Sequence, residues 1–265
     1  MSFYKPGRVR FTLLSLVILL YQFRSPAIAE PVSLTIYTEH YPPYSYEHNG
    51  QLTGINLQLV RRLCEQARID CKFELYPWLR AFDNALKDPR GGLVSTSRTQ
   101  EREKRFKWVG PLIFDESYLY RLGSRSEVEP TNLDQAKQYI VAIPRGDVYE
   151  QYFLKHGFSY EKNLVAFSNK PDAFEMLIKG KVDLIMGSQV VIPYWLSHID
   201  QPDLAVHPVL AVPDVGGNHL ALNPGISDRV RDKLQHQLDI LRSNGELEKL
   251  KKAYSDKLFL SGDQK

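Results

Sequence analysis

Two cysteines, Cys64 and Cys71, are all that 265 residues carry. No histidine and no second cysteine pair stands at ligand spacing, so a structural metal site is excluded. A nucleophile–histidine–acid arrangement is missing, and so is a phosphate-cradling glycine loop. No low-complexity linker divides the chain, so any passage between domains is a short strand-like crossing. The apolar run Phe11–Tyr21 is shorter than the roughly 20 residues of a comfortable transmembrane helix. An excess of charge is missing too, once the first residues are set aside.

Those first residues explain the formal charge of +3. Lys5, Arg8 and Arg10 precede the apolar run, and Ala27-Ile28-Ala29 follows it. A basic start, a short apolar middle and small residues at Ala-x-Ala describe a secretory signal peptide over residues 1–29, with an uncleaved anchor as the alternative. Without that segment, and so without Lys5, Arg8, Arg10 and Arg24, 236 residues remain. Their 30 Lys and Arg face 31 Asp and Glu, a formal charge of −1. That balance gives no reason to expect nucleic acid or an acidic membrane surface as partner. In an exported chain Cys64 and Cys71, seven apart, read as a local disulfide; two buried thiols are the alternative.

The remaining residues are enough for one large domain or two lobes with cores of their own. Ser33–Tyr37, Cys71–Leu75 and the segment around Leu93 alternate as strands. Between them Asn56 is placed to cap a helix with Leu57, Val60, Cys64 and Ala67 on one face, and Trp78–Leu86 reads as a helix with Leu79, Phe82 and Leu86 inward. This β-α-β-α-β order marks a parallel sheet. A second round runs from Tyr118 through strands at Tyr139–Ile143, Leu164–Phe167 and Val182–Gly187, then an extended Val206–Val212. The chain closes with a strand at His219–Leu222 and a helix carrying Val230, Leu234, Leu238 and Leu241 on one face.

Ser95 to Pro111 stands apart. A hydroxyl-rich strand end, Ser95-Thr96-Ser97, leads through Thr99-x-x-Arg102 into a charged turn. Hydroxyls, free backbone N–H groups and a guanidinium in one place suit an anionic small ligand. The competing reading is a solvated charge run, with Arg102 paired to Glu101 or Glu103.

The order of Tyr41-Pro42-Pro43-Tyr44, Gly50-x-x-x-Gly54, Pro77-Trp78, Thr99-x-x-Arg102, Trp108-Val109-Gly110-Pro111, Gly180-x-Val182-Asp183 and Asn244-Gly245 resembles the bacterial extracellular solute-binding proteins of family 3, the polar amino acid type. The resemblance spans about Ser33 to Leu258. It implies an α/β, two-lobed periplasmic binding protein-like fold of type II with two hinge crossings, near Phe114–Ser117 and Asp214–Gly217. Residues 30–115 and 216–265 would form lobe 1, and 116–215 lobe 2. It also implies that Tyr41 and Trp78 stack on the ligand, that Ser95 and Ser97 offer backbone and hydroxyl groups, and that Arg102 takes a carboxylate. The Gly146-Asp147-Val148 helix start would donate N–H groups. Core packing is the alternative role for Tyr41 and Trp78.

One position departs from the family pattern. Amino acid-binding members hold the ligand's ammonium with an acid at the place of Ser188. A hydroxyl cannot neutralise a buried ammonium, so either Asp147 or Glu39 substitutes or the solute is not a simple α-amino acid. The resulting expectation is a periplasmic monomer without cofactor that captures a small polar, carboxylate-bearing solute for an ABC permease, or reports it to a membrane receptor. A cleft enzyme of dehydratase or lyase type would need Glu39, His40 or Asp147 as acid or base.

Overall fold

The computed structural model describes residues 1–3, 32–114, 116–199, 201, 203–213 and 217–260. All but the first three residues of the expected signal peptide lie outside them. Two five-stranded mixed sheets organise the rest.

The first sheet begins with β1 (Ser33–Thr38), whose alternating burial matches its alternating sequence. After it come the short hairpin strands β2 (Tyr46–His48) and β3 (Gln51–Thr53), joined by Asn49-Gly50 with both residues at positive φ, as the tight-turn signal requires. Helix α1 (Ile55–Ala67), β4 (Asp70–Leu75), α2 (Trp78–Lys87) and β5 (Gly91–Ser97) follow. β4 and β5 both pair parallel with β1, the expected β-α-β-α-β result. β6 (Lys107–Ile113) forms the other edge of this sheet, and a much later strand, β12 (Asn218–Leu222), inserts antiparallel between β5 and β6.

The second sheet is built from β7 (Ser117–Leu122), β8 (Val141–Pro144), β9 (Leu164–Phe167), β10 (Leu184–Ser188) and β11 (Val206–Val212), in the order β11-β7-β10-β8-β9. Its helices are the single-turn α3 (Leu133–Ala136), α4 (Val148–Lys155), α5 (Lys170–Ile178) and α6 (Val191–Ser197). Helices α7 (Asp228–Ser243) and α8 (Glu246–Leu260) close the chain. Each sheet thus carries its own α/β lobe.

The helix stripes explain the cores. Val230, Leu234, Leu238 and Leu241 of α7 are all buried, packed with Leu57, Val60 and Leu63 of α1. On the other face of the first sheet α2 buries Trp78, Ala81, Phe82 and Ala85 against Tyr37, Leu93, Phe106 and Trp108. The buried stripe is therefore i, i+3, i+4, i+7 from Trp78, with Leu86 partly buried beside it as expected; Leu79 is the exception, 53% exposed, and the alanines fill the inward places. Asn56 does not cap α1 either. Gly54 is the N-cap at φ 127°, because any Cβ there would meet the Tyr44 carbonyl oxygen at 2.3 Å, and Asn56 is turned fully into the interior.

Cys64 and Cys71 are disulfide-bonded, tying the end of α1 to the second residue of β4. The closed loop is short, so the chain-entropy model gives about 2–3 kcal/mol. The Cys64→Ala/Cys71→Ala chain is expected to unfold in urea with a stability lower by about that amount and an unchanged slope; an unchanged midpoint would show that the bond constrains nothing.

Candidate functional site

The chain after β1 folds into a compact loop. Tyr41 N donates to Ser45 O, while Tyr44 N and Ser45 N return to Tyr41 O. This turns the Tyr41 and Tyr44 rings, 5.1 Å apart, toward the second lobe, where Tyr44 Oη lies 3.4 Å from Ser188 Oγ. Ser95 sits where β5 loses register with β12: Thr96 pairs with His219 and Leu93 with Ala221, so Val94 and Ser95 together oppose Leu220. Ser95 takes φ 61°, a left-handed conformation that costs a non-glycine residue about 1 kcal/mol or more. Its Oγ accepts from Asn56 Nδ2 at 3.0 Å and lies 3.3 Å from Ser45 Oγ.

Thr99-x-x-Arg102 is a turn in which Arg102 N donates to both the carbonyl and the hydroxyl of Thr99. The arginine side chain points inward and the residue is only 8% exposed. Its guanidinium carbon lies 5.3 Å from the ring centroids of both Trp78 and Phe82. Nη1 donates to Ser97 O and Nη2 to Gly146 O, each at 3.5 Å. The surface ion pair is not what forms: Glu103 takes Arg98 instead. Among the described residues no carboxylate comes within 4 Å of Arg102. Trp78 packs its ring in the core, the alternative role, and its Nε1 donates to Gly146 O at 2.9 Å.

The helix start at Gly146 differs from the expectation. Gly146 N donates to Glu150 Oε2, and Tyr149 N donates to Asp147 Oδ1, the N-cap of α4. These two N–H groups are satisfied within the loop, because acidic side chains at 147 and 150 stand where an anion would otherwise sit. Ser188 is also committed: its Oγ accepts from Val190 N and Val191 N at the start of α6.

Sequence reasoning missed Lys170. It opens α5, is 8% exposed, and extends across the seam between the lobes. Nζ lies 2.9 Å from Glu39 Oε1, 3.0 Å from Asp147 Oδ2 and 3.8 Å from the centroid of Tyr41. Its one signal was a lysine before proline at a helix N-terminus, where the dipole disfavours cations. Burial alone would lower its pKa, but the two carboxylates raise it above the ordinary lysine value.

The carboxylates divide. For Asp147 burial pushes upward, yet Lys170, the Tyr149 N–H and Arg102 outweigh it and hold the group below its usual range. For Glu39 burial dominates, Asp147 adds repulsion, and Lys170 does not fully offset them, so its pKa is raised.

Tyr41, Trp78, Ser95, Ser97, Arg102, Asp147 and Ser188 line one cavity with Tyr44, Tyr149 and Lys170. Gly146 is outside the lining and borders it through its carbonyl contacts. The cavity holds about 70 Å³. Ligand sites usually offer about 300–1,000 Å³, so admitting a solute requires the lobes to part. Among the described residues no group of three His, Cys, Asp or Glu is arranged to hold a metal.

The family model for bacterial extracellular solute-binding proteins, family 3, matches residues 34–257. The chain belongs to that family. A relative in Escherichia coli K12, named as a candidate ABC transporter arginine-binding protein, is 30% identical over 80% of this chain and 82% of its own length. The fold matches an ancestral arginine-binding protein bound to arginine (TM-score 0.73, 17% identity, 84% of this chain and 97% of that one). It also matches a histidine kinase sensor domain described as similar to periplasmic binding proteins (TM-score 0.75, 20% identity, 84% and 96%).

The two acids titrate in separate windows. Glu39's folded pKa exceeds its ordinary 4.5, so its contribution to stability is full below pH 4.5 and lost as pH rises through the folded value. Asp147 lies below its ordinary 3.8, so its contribution is present above pH 3.8 and lost on acidification through the folded value. Urea unfolding across pH should therefore show Glu39→Gln removing a decline that begins above pH 4.5 while leaving the acid limb in place. The same slope in both proteins would refute the raised carboxyl.

Proposed function

We propose that the mature chain is a periplasmic, monomeric, non-enzymatic binding protein that closes on a small solute through its carboxylate and delivers it to an ABC permease. The observation that carries this reading is Arg102: a buried guanidinium at the seam, 5.3 Å from the ring centroids of Trp78 and Phe82, with weak carbonyl contacts and no carboxylate of the chain within 4 Å among the described residues. A planar fork held this way suits a bidentate carboxylate better than a lysine could. Tyr44, Ser95 and Ser97 supply hydroxyls beside it. In this reading residues 30–115 with 216–265, and 116–215, are the two bodies that move, hinged near residues 114–117 and 214–217.

Catalysis has less support. Among the described residues the candidate acids Glu39 and Asp147 are both tied up in ion pairs with Lys170, and His40 is exposed. A receptor partner would use the same binding chemistry.

Calorimetry with a panel of small carboxylates should find a binder. Arg102→Ala should weaken it about tenfold to a hundredfold, the equivalent of about 1.5–3 kcal/mol for a hydrogen bond to a charged group. Arg102→Lys should not restore full affinity. Undiminished binding in Arg102→Ala would remove the anchor.

A further inference from the structure

Glu39 and Asp147 do not merely flank a lysine. With the Tyr41 ring face they make a closed box around an ammonium, and the Trp78 ring stands 5.9 Å away on a further side. Two carboxylates at hydrogen-bond distance and an aromatic face within 6 Å are what recognises a free alkylammonium. The box draws on both lobes, since Glu39 and Tyr41 follow β1 while Asp147 and Lys170 open helices of the second lobe. A solute's cation gripped there would touch both.

We propose that Lys170 is a tethered occupant of a cation-binding subsite, so that the cleft rejects solutes with a cationic side chain and keeps only its anion-binding end, Arg102, for the solute. The proposal deepens the solute-capture reading by setting the class of solute: anionic, without an ammonium or guanidinium to place. Three further observations agree. Tyr41, Asp147 and Lys170 of the box line the same cavity as Arg102, with Glu39 behind them, and Trp78 borders both cations. Ser188, the place for an ammonium-binding acid, is neutral and its Oγ accepts from the Val190 and Val191 N–H groups. Lys170 also holds its position against the dipole of α5, at a helix N-terminus that disfavours a cation. A lysine serving only to cross-link the lobes would not need an aromatic face over its nitrogen.

The test uses n-propylammonium chloride, which replaces what Lys170→Ala removes beyond Cβ. The full mature chain and the variant are melted with the salt, with sodium chloride at equal ionic strength, and with n-propanol. Propylammonium at ten times its Kd should stabilise the variant about elevenfold in its folding equilibrium constant, or about 3–6 °C for a chain this size. It should leave the wild type unmoved, and propanol should leave both unmoved. Should Lys170→Ala not fold with two carboxylates unpaired, Lys170→Ala/Glu39→Gln keeps Asp147 alone and is measured the same way.

Two results overturn the proposal. One is that propanol and propylammonium act alike on the variant. The other, independent of any variant's folding, is that wild-type chain binds L-arginine or L-lysine in calorimetry. The melting arm needs no natural solute, so it can fail while Arg102-dependent capture stands, and the reverse.

Discussion

Two cations and two carboxylates meet in a seam that admits little water, and how they share one another decides what the seam can accept. At 3 Å and an effective dielectric near 20, one such contact is worth about 5–6 kcal/mol before desolvation is counted. Desolvation removes several kcal/mol for each ion, so a buried pair comes out near even, and a buried ion that loses its partner comes out strongly unfavourable. Lys170 has two carboxylates and sits on the favourable side of that balance. Glu39 shares one lysine with a better-placed competitor, and its raised pKa is the result. Arg102 has aromatic faces and two long carbonyl contacts, which leaves it the cation with most to gain from an incoming anion.

The same contacts bear on motion. Trp78 Nε1 to Gly146 O and Lys170 to Glu39 both cross from one lobe to the other, and neither involves a solute. In the two-body reading proposed above, such contacts favour the closed arrangement. A solute then shifts the equilibrium only by the difference between its contacts in the closed and open forms. Arg102 supplies part of that difference, because its guanidinium already reaches the second lobe at Gly146.

Much of the fold was legible because periodicity and core packing are the same physics. The α7 stripe of Val230, Leu234, Leu238 and Leu241 had one plausible face, and it is the buried one. The α2 stripe was misread because small alanines fill the narrow space beside the sheet, whereas Leu79 projects toward Gly146 across the cleft. Arg102 was legible from Thr99-x-x-Arg102, a local turn. Lys170 was not: the residues that explain it lie 131 and 23 positions away, and no local pattern encodes a contact that exists only after both lobes form. Of the two chemistries expected at Asp147, its carboxylate meets an ammonium, that of Lys170, while the N–H groups of Gly146 and Tyr149 are taken by the acids at 150 and 147.

Formal charge connects Ser188 to Lys170. An acid at 188 with no lysine at 170 would leave Arg102 among three carboxylates, a cluster of charge −2 that suits a solute of net positive charge. With Ser188 and Lys170 the two cations balance Glu39 and Asp147, and the four-ion cluster sums to zero. An incoming monoanion then takes the occupied site to −1, the same total that a monocation gives in the other arrangement. A cationic solute would instead place a second positive charge beside Lys170 with both carboxylates already spent, and like charges in a poorly hydrated space cost several kcal/mol. Ser188 and Lys170 are therefore electrostatically linked: an acid at 188 beside Lys170, or a neutral residue at 170 beside Ser188, would each leave one charge unbalanced.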